Sequence, residues 1–293
     1  MLGRFGKDAG SLVGLEIASD AVRILQVQQR NRRWRVVGSA QEPLHSPLGD
    51  DWRGESGLVV AALQRAYRRS GVRQRRVALA LSANQVICKL CHLPGERDGA
   101  EMEVQLLADA ERLFPFPLED LALDFQALGP SRVQPGCLEV MVAACRQSAL
   151  ASLATVVEEA GLELAAVEVD NIALSRMLPQ GCMEGSALLR LETRSVTLYG
   201  WQPGKAFLRV ELPQDELRAS GQLPEHLQAL FAEAYLPARL WVASSALIDP
   251  GWLQGLSEQL ELPCRQLPGL AGLEQVDGSM LLAGALSVGG WQP

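Results

Sequence analysis

Lysine is nearly missing from this chain. Of 27 basic residues only Lys7, Lys89 and Lys205 are lysines and the rest are arginines, so Schiff-base chemistry and a phosphate-loop amine have few candidates. Histidine is as scarce: His45, His92 and His226 are the three present, too few for a second zinc half-site. No apolar run reaches the roughly 18 residues of a membrane-spanning helix. The most apolar stretch, Met280–Val288, is short and rich in small residues. Met1–Gly10 has a basic flavour but no apolar region follows it, so no signal peptide is expected and a cytoplasmic location is. The six cysteines then read as reduced thiols. Glycine and proline scatter without period, which excludes collagen-like and low-complexity chains.

What is present is a core-forming composition, 48% apolar over 293 residues, a length that corresponds to roughly two domains. Charge is segregated. Residues 1–76 carry 14 basic and 7 acidic side chains, a net of +7, against a net of −14 in the remainder. Arg65, Arg68, Arg69, Arg73, Arg75 and Arg76 supply much of the positive part. Such a run reads first as a solvated helix end and loop; its sharper reading is a face for anionic lipid headgroups. Nucleic acid is disfavoured, because interleaved aromatics are absent and the chain as a whole is acidic.

Cys88-Lys-Leu-Cys-His92 matches the spacing of c-type haem attachment. It lies inside Gln85–Leu93, whose alternating branched residues predict a strand, and a strand sends Cys88 and Cys91 to opposite faces. A haem, metal or redox role is therefore set aside.

Patterning predicts an antiparallel meander at the start: two strands within Leu12–Gln28 joined by a turn at Ala18–Asp20, then a third at Trp34–Ala40. A helix over Leu58–Arg69 follows, with its arginines facing outward. Val77–Leu93 reads as a strand. Glu101–Phe114 reads as a helix with Val104, Leu107, Ala108 and Leu113 inward, stopped by the prolines of Phe114-Pro-Phe-Pro117. Strands at Leu121–Leu128 and Leu138–Cys145 and a helix at Ser148–Ala160, capped by Gly161, complete a β-α-β-β-α unit over 77–161. Leu164–Asp170 is a strand and Asn171–Leu178 a helix. Ala187–Tyr199 and Lys205–Leu212 then echo the opening meander. A helical region (214–235), a strand at Arg239–Val242 and helices at Gly251–Leu260 and Gly278–Gly289 close the chain. Two related halves around a cleft, the first carrying an inserted module, account for this order.

That order, headed by Val13-Gly-Leu-Glu-Ile-Ala-Ser-Asp-Ala-Val-Arg23, resembles the PilM family of type IV pilus assembly proteins. The resemblance continues through Phe114-Pro-Phe-Pro-Leu118 and the strand carrying Asp124-Phe125, then Val140–Arg146, Ala160-Gly-Leu162 and Val167-Glu-Val-Asp-Asn-Ile-Ala-Leu174. Relatives serving DNA uptake or agglutinin pili share the pattern. It implies an α/β, actin-like (ribonuclease H-like) fold of two lobes with an inserted α+β module of the SHS2 or 1C kind. The first lobe would be residues 1–76 and 162–185, the module 77–161 and the second lobe 186–293.

The resemblance also implies ATP between the lobes, held by three glycine-bearing turns. In the first, this chain has Glu16 where the family has aspartate and Ala18 where it has glycine, with Ser19 and Asp20 beside them. In the second, Arg190 replaces an aspartate and Glu192 a glycine. In the third, Ala243-Ser-Ser-Ala246 has lost both glycines. Added Cβ atoms block close approach of backbone to phosphate. A carboxylate about 4 Å from a phosphate charge costs roughly 4 kcal/mol at an effective dielectric of 20. The expectation is a degenerate site, with Arg190 paired to Glu16 and at most weak binding of ATP and magnesium. The alternative is that Glu192 and Asp20 turn to solvent.

Two functions are in view, one implied by the family and one by the wider superfold. One is a non-catalytic scaffold that captures the N-terminal tail of a PilN-like bitopic inner-membrane protein. The tail would lie in a groove bordered by 77–93 and 138–178, and the scaffold would join that protein to the pilus motor and alignment complex, near an anionic membrane and without nucleic acid. The other is an ATPase or sugar-kinase-like phosphotransferase with Asp170 as general base, although an aspartate before a helix more often caps it.

Overall fold

The computed structural model describes residues 11–31, 33–45, 48, 56–95, 98–192, 195–202, 208–212, 222–233, 236–269, 273, 276 and 278–289. Lys7, Lys205, Trp291 and much of the helical region expected over 214–235 lie outside them.

The opening residues form the expected meander: β1 (Val13–Ile17), β2 (Ala21–Arg30) and β3 (Arg33–Pro43). After α1 (Ser56–Ser70), β4 (Arg76–Leu81) joins β1 in parallel, and β8 (Glu163–Val169) joins β4. The sheet order is β3-β2-β1-β4-β8. The second half repeats it. Strands β9 (Ser186–Leu191), β10 (Val196–Trp201) and β11 (Leu208–Leu212) form a meander, and β12 (Arg239–Ser244) and β13 (Cys264–Gln266) add in parallel, giving β11-β10-β9-β12-β13. The echo in the sequence is thus a repeat of sheet topology.

A third sheet, wholly antiparallel and ordered β5-β7-β6, lies between β4 and β8 in the chain: β5 (Ile87–Pro94), β6 (Leu121–Pro130) and β7 (Cys137–Arg146). The single strand read over Val77–Leu93 is two, split by the turn at Ala83–Gln85. Its first part pairs in the first lobe's sheet. Helix α4 (Gln147–Glu159) likewise packs Leu153, Val156 and Val157 among Val59, Leu63 and Leu79 of the first lobe. By sheet membership and packing, the separate module spans 87–146, inside the expected 77–161.

The helix read over Glu101–Phe114 breaks at Asp109 into α2 (Gly99–Ala108) and α3 (Ala110–Leu113). Its inward face is not the expected one. Met102, Leu106, Ala110 and Phe114 are buried, whereas Val104 is 69% and Leu107 46% exposed. Phe114 enters the module core with Leu93, Val140 and Val142, so the Phe-Pro-Phe-Pro stretch both stops the helix and anchors it. The Cys88–His92 segment is strand throughout, and burial raises the thiols of Cys88 and Cys91, the opposite of what thiolate chemistry requires.

Helices α5 (Asp170–Ser175), α6 (Leu223–Glu233), α7 (Pro250–Leu260) and α8 (Leu281–Ser287) complete the described elements. The last crosses back onto the first lobe. A Cβ on Gly14 would sit 1.8 Å from the Ala283 carbonyl oxygen, so only glycine lets α8 lie on β1 at this distance. Buried Ser287 accepts from Val27 N (3.0 Å) and donates to the Leu12 carbonyl (2.9 Å), tying α8 to the first hairpin. One apolar cluster joins Ala78, Ala166 and Leu174 of the first lobe to Leu188, Tyr199 and Trp241 of the second and to Leu282 and Leu286 of α8. No described helix is long and apolar enough to cross a membrane.

Candidate functional site

The C-terminal ends of β1 and β9 meet across a cleft of about 450 Å³ between the lobes, lined by Glu16, Ala18, Ser19, Asp170, Arg190, Glu192 and Arg209 among others. Strand alternation aims Glu16 and Arg190 into it, and both are almost wholly buried.

Arg190 takes the centre. Its Nη2 donates to Glu16 Oε1 at 3.0 Å and to Glu192 Oε1 at 2.8 Å, linking the first lobe to the second. Arg23 on β2, 1% exposed, lies beside it: Nη2 donates to Asp20 Oδ1 (2.9 Å), and Nη1 is 3.3 Å from Glu192 Oε1 and 3.8 Å from Glu16 Oε2. Ser195 Oγ donates to Glu192 Oε2 at 3.1 Å. The expected Arg190–Glu16 pair is therefore present. The alternative, Glu192 and Asp20 facing solvent, does not describe this geometry: Glu192 is buried and Asp20 is held by Arg23.

Three carboxylates and two guanidiniums share this buried space, one negative charge in excess. Burial, reinforced by Glu192, raises the Glu16 pKa against the pull of Arg190 and Arg23. Burial alone would make both arginines easier to deprotonate, but Glu16 and Glu192 hold their pKa values above the ordinary one.

The turns are closed on themselves. Ala18 N donates to the Ala21 carbonyl (2.9 Å), and the carbonyls of Ser19 and Asp20 accept from Leu48 N and Leu44 N (2.8 Å each). Glu192 N donates to the Ser195 carbonyl (2.9 Å). In the third turn Ser245 N donates to the Leu191 carbonyl (3.0 Å), and the 278–280 turn covers Ser244 so closely that a Cβ on Gly278 would meet its carbonyl oxygen at 1.9 Å.

A second inter-lobe tie flanks the first. Asp170 is not the cap of α5 but its first residue: Val169 holds the cap position, no side chain caps the helix, and Asp170 accepts from the adjacent Asn171 N (2.7 Å). It also accepts from Ala83 N (2.9 Å) and, across the cleft, from Arg209 Nε of β11 (3.0 Å). Burial raises its pKa, with Arg209 opposing. Asn171 Nδ2 donates to the Leu208 carbonyl (3.2 Å), and the Trp201 indole N–H donates to the Asn171 carbonyl (3.1 Å). Sequence reasoning missed Arg23 and Arg209 as members of the site. The available signal was alternation: Arg23 stands inside a run of otherwise inward residues, and Arg209 shares a strand face with Glu211.

Two lobes of one topology, hinged on a shared core and facing each other across a charged cleft, define an actin-like protein with an inserted module. Within that class, the chain belongs to the PilM family: the family described as type IV pilus assembly protein PilM matches residues 14–184. Among solved structures it is similar to a chain of a PilM–PilN type IV pilus biogenesis complex, at 22% identity and a TM-score of 0.72, covering 97% of this chain and 99% of that one. It is also similar to the cytoplasmic domain of EpsL, an inner-membrane component of the Vibrio cholerae type II secretion system, at 13% identity and a TM-score of 0.51, covering 94% of each.

Proposed function

We propose that this chain is a non-catalytic, cytoplasmic scaffold of a type IV pilus or related inner-membrane assembly complex. It captures the N-terminal tail of a PilN-like bitopic protein, and through that protein it sits at the inner membrane beside the motor and alignment complex. The tail docks where the turn at Ala83–Gln85 and the start of α4 join the module to the first lobe.

The observation that carries the reading is Arg190, shared between Glu16 and Glu192 in the space where the fold holds a nucleotide's phosphates and metal. Admitting magnesium and a triphosphate there requires Arg190 to leave two buried carboxylates, each several kcal/mol from a favourable state once unpaired. The Ala18 and Glu192 N–H groups, which an anion would need, are already bonded within their own turns. Both Asp170 oxygens are also engaged, which argues against a general base awaiting an acceptor hydroxyl.

Calorimetric titration of the full chain with a synthetic PilN-like tail peptide, run beside one with ATP and magnesium, tests this. Saturable peptide binding without a nucleotide signal is expected. Magnesium-dependent ATP binding, or hydrolysis abolished by Glu16→Ala, would overturn it.

A further inference from the structure

The pole of the first lobe opposite the cleft carries a face built for an anionic surface. From Ala21 to Gln41 the chain holds no acidic residue. The β2–β3 ribbon in this stretch runs past the start of β1, since the β1–β2 pairing ends at Gly14 and Leu25, whereas Arg30 pairs with Arg33 at the ribbon's end. In an antiparallel ladder directly paired residues share a face. Arg30, Arg33 and Arg35 therefore project on one side of the ribbon, while Trp34, whose ring packs against the Leu25–Val27–Met280 cluster, projects on the other.

Helix α1 covers the arginine side and ends at this same pole. Gly38 of β3 lies against the backbone of Ser70 and the side chain of Val72. That contact brings Arg68 and Arg73 beside the ribbon. All five arginines are exposed, and none has a carboxylate within ion-pair distance among the described residues. Arg65 and Arg69, by contrast, are spent on Glu42, and Arg76 lies 3.5 Å from Glu163. Among the described residues, Glu158 and Glu159 close α4, which lies beside α1 (the Glu159 carbonyl accepts from Gln64 Nε2 at 3.2 Å), and Glu163 begins β8, while the ribbon end itself holds no acidic residue.

The exposed apolar residues of β3 lie on the other side: Val36 pairs with Val27, and the register shift between Gln26 and Val27 leaves Val37 as the extra residue beside it. We infer that the β2–β3 ribbon and the end of α1 dock this protein directly on an anionic lipid bilayer, with the arginines at the headgroups. A bilayer fits better than nucleic acid, because the one aromatic ring in the ribbon is packed against the protein and cannot stack on bases. The inference stands on charge and topology, independently of tail capture.

Sedimentation of the full chain with vesicles tests it. One set contains phosphatidylglycerol at about a third of the lipid; the other is pure phosphatidylcholine. Binding to the first set only is expected, reversed by 0.5 M salt because surface charges are then screened within a few ångströms. Each arginine removed should weaken binding about five-fold, so Arg30→Gln/Arg33→Gln/Arg35→Gln should lose roughly a hundred-fold. These exposed sites make no described ion pair, and an unchanged melting temperature certifies the fold. Equal binding to neutral vesicles, unaltered binding by the triple variant, or a short DNA duplex held more tightly than the vesicles would each overturn the inference.

Discussion

At the scale of single residues, the cleft is a problem in charge balance. Arg190 holds Glu16, whose pKa burial raises, together with Glu192 beside it. Removing one partner of such a cluster strands the others, which typically costs about 3–5 kcal/mol, a large part of the 5–15 kcal/mol that ordinarily separates folded from unfolded protein. Arg190→Met should show that loss in urea denaturation at pH 8, and adding Glu16→Gln should restore part of it, because the pair is coupled. Glu16→Gln alone behaves differently. It leaves two carboxylates against two guanidiniums and keeps an oxygen for the Arg190 hydrogen bond. The folded Glu16 pKa lies above its ordinary value of 4.5, so the folded state binds the proton more tightly than the unfolded chain. The stability linked to that proton is complete below about 4.5 and is lost as the pH rises through the folded pKa. Subtracting the variant's stability from the parent's between pH 5 and 8 should therefore give a difference that falls with rising pH. A flat or rising difference would show that Glu16 is not the strained carboxylate.

At the scale of elements, patterning revealed both meanders and their repeat, because strands buried on both faces write short apolar runs, separated by turn residues, into the sequence. It chose the wrong face of α2. Met102-x-x-x-Leu106-x-x-x-Ala110 and Val104-x-x-Leu107-Ala108 both satisfy helical spacing, and only the position of the module's sheet selects the first. The break between β4 and β5 was equally hidden, since Val77–Leu93 is apolar on both sides of the turn at Ala83–Gln85. In the cleft, the replaced turn residues were legible as departures from a pattern. Arg23 and Arg209 were legible only as charges within strands; that they serve this cleft depends on which strands face each other across the lobes. Close approach of backbones is also invisible in sequence, and it yields a sharp contrast between two glycines. Gly14→Ala should cost about 1–3 kcal/mol or more, as overpacking does, because α8 must retreat from β1. Gly57→Ala meets nothing within 4 Å and lies in the first turn of α1, so it should stabilise by about 0.4–1 kcal/mol. Equal denaturation midpoints for the two variants would contradict the packing of α8.

At the scale of the whole molecule, the distribution of cores decides what unfolds together. The lobes share an apolar cluster that includes α8 and are tied again by Arg190 and by Asp170–Arg209. The module has its own cluster, built from Leu93, Met102, Leu106, Phe114, Val140, Val142 and Ala144, with no lobe residue among its buried members. Cooperative units in native-state hydrogen exchange follow such boundaries. The amides of 87–146 should therefore open as one unit at a lower free energy than those of β1, β4, β9 and β12, which should exchange only by global unfolding. Met102→Ala deletes a buried side chain from the module alone, and large-to-small changes of this kind cost about 2–5 kcal/mol. The variant should accelerate exchange throughout 87–146 and leave the lobe strands nearly unchanged. Loss of protection across both lobes would mean that the module is a structural part of the two-lobed body. A module that can loosen by itself would let a chain segment enter beside the turn at Ala83–Gln85 without breaking the ion pairs that Arg190 and Arg209 make across the cleft.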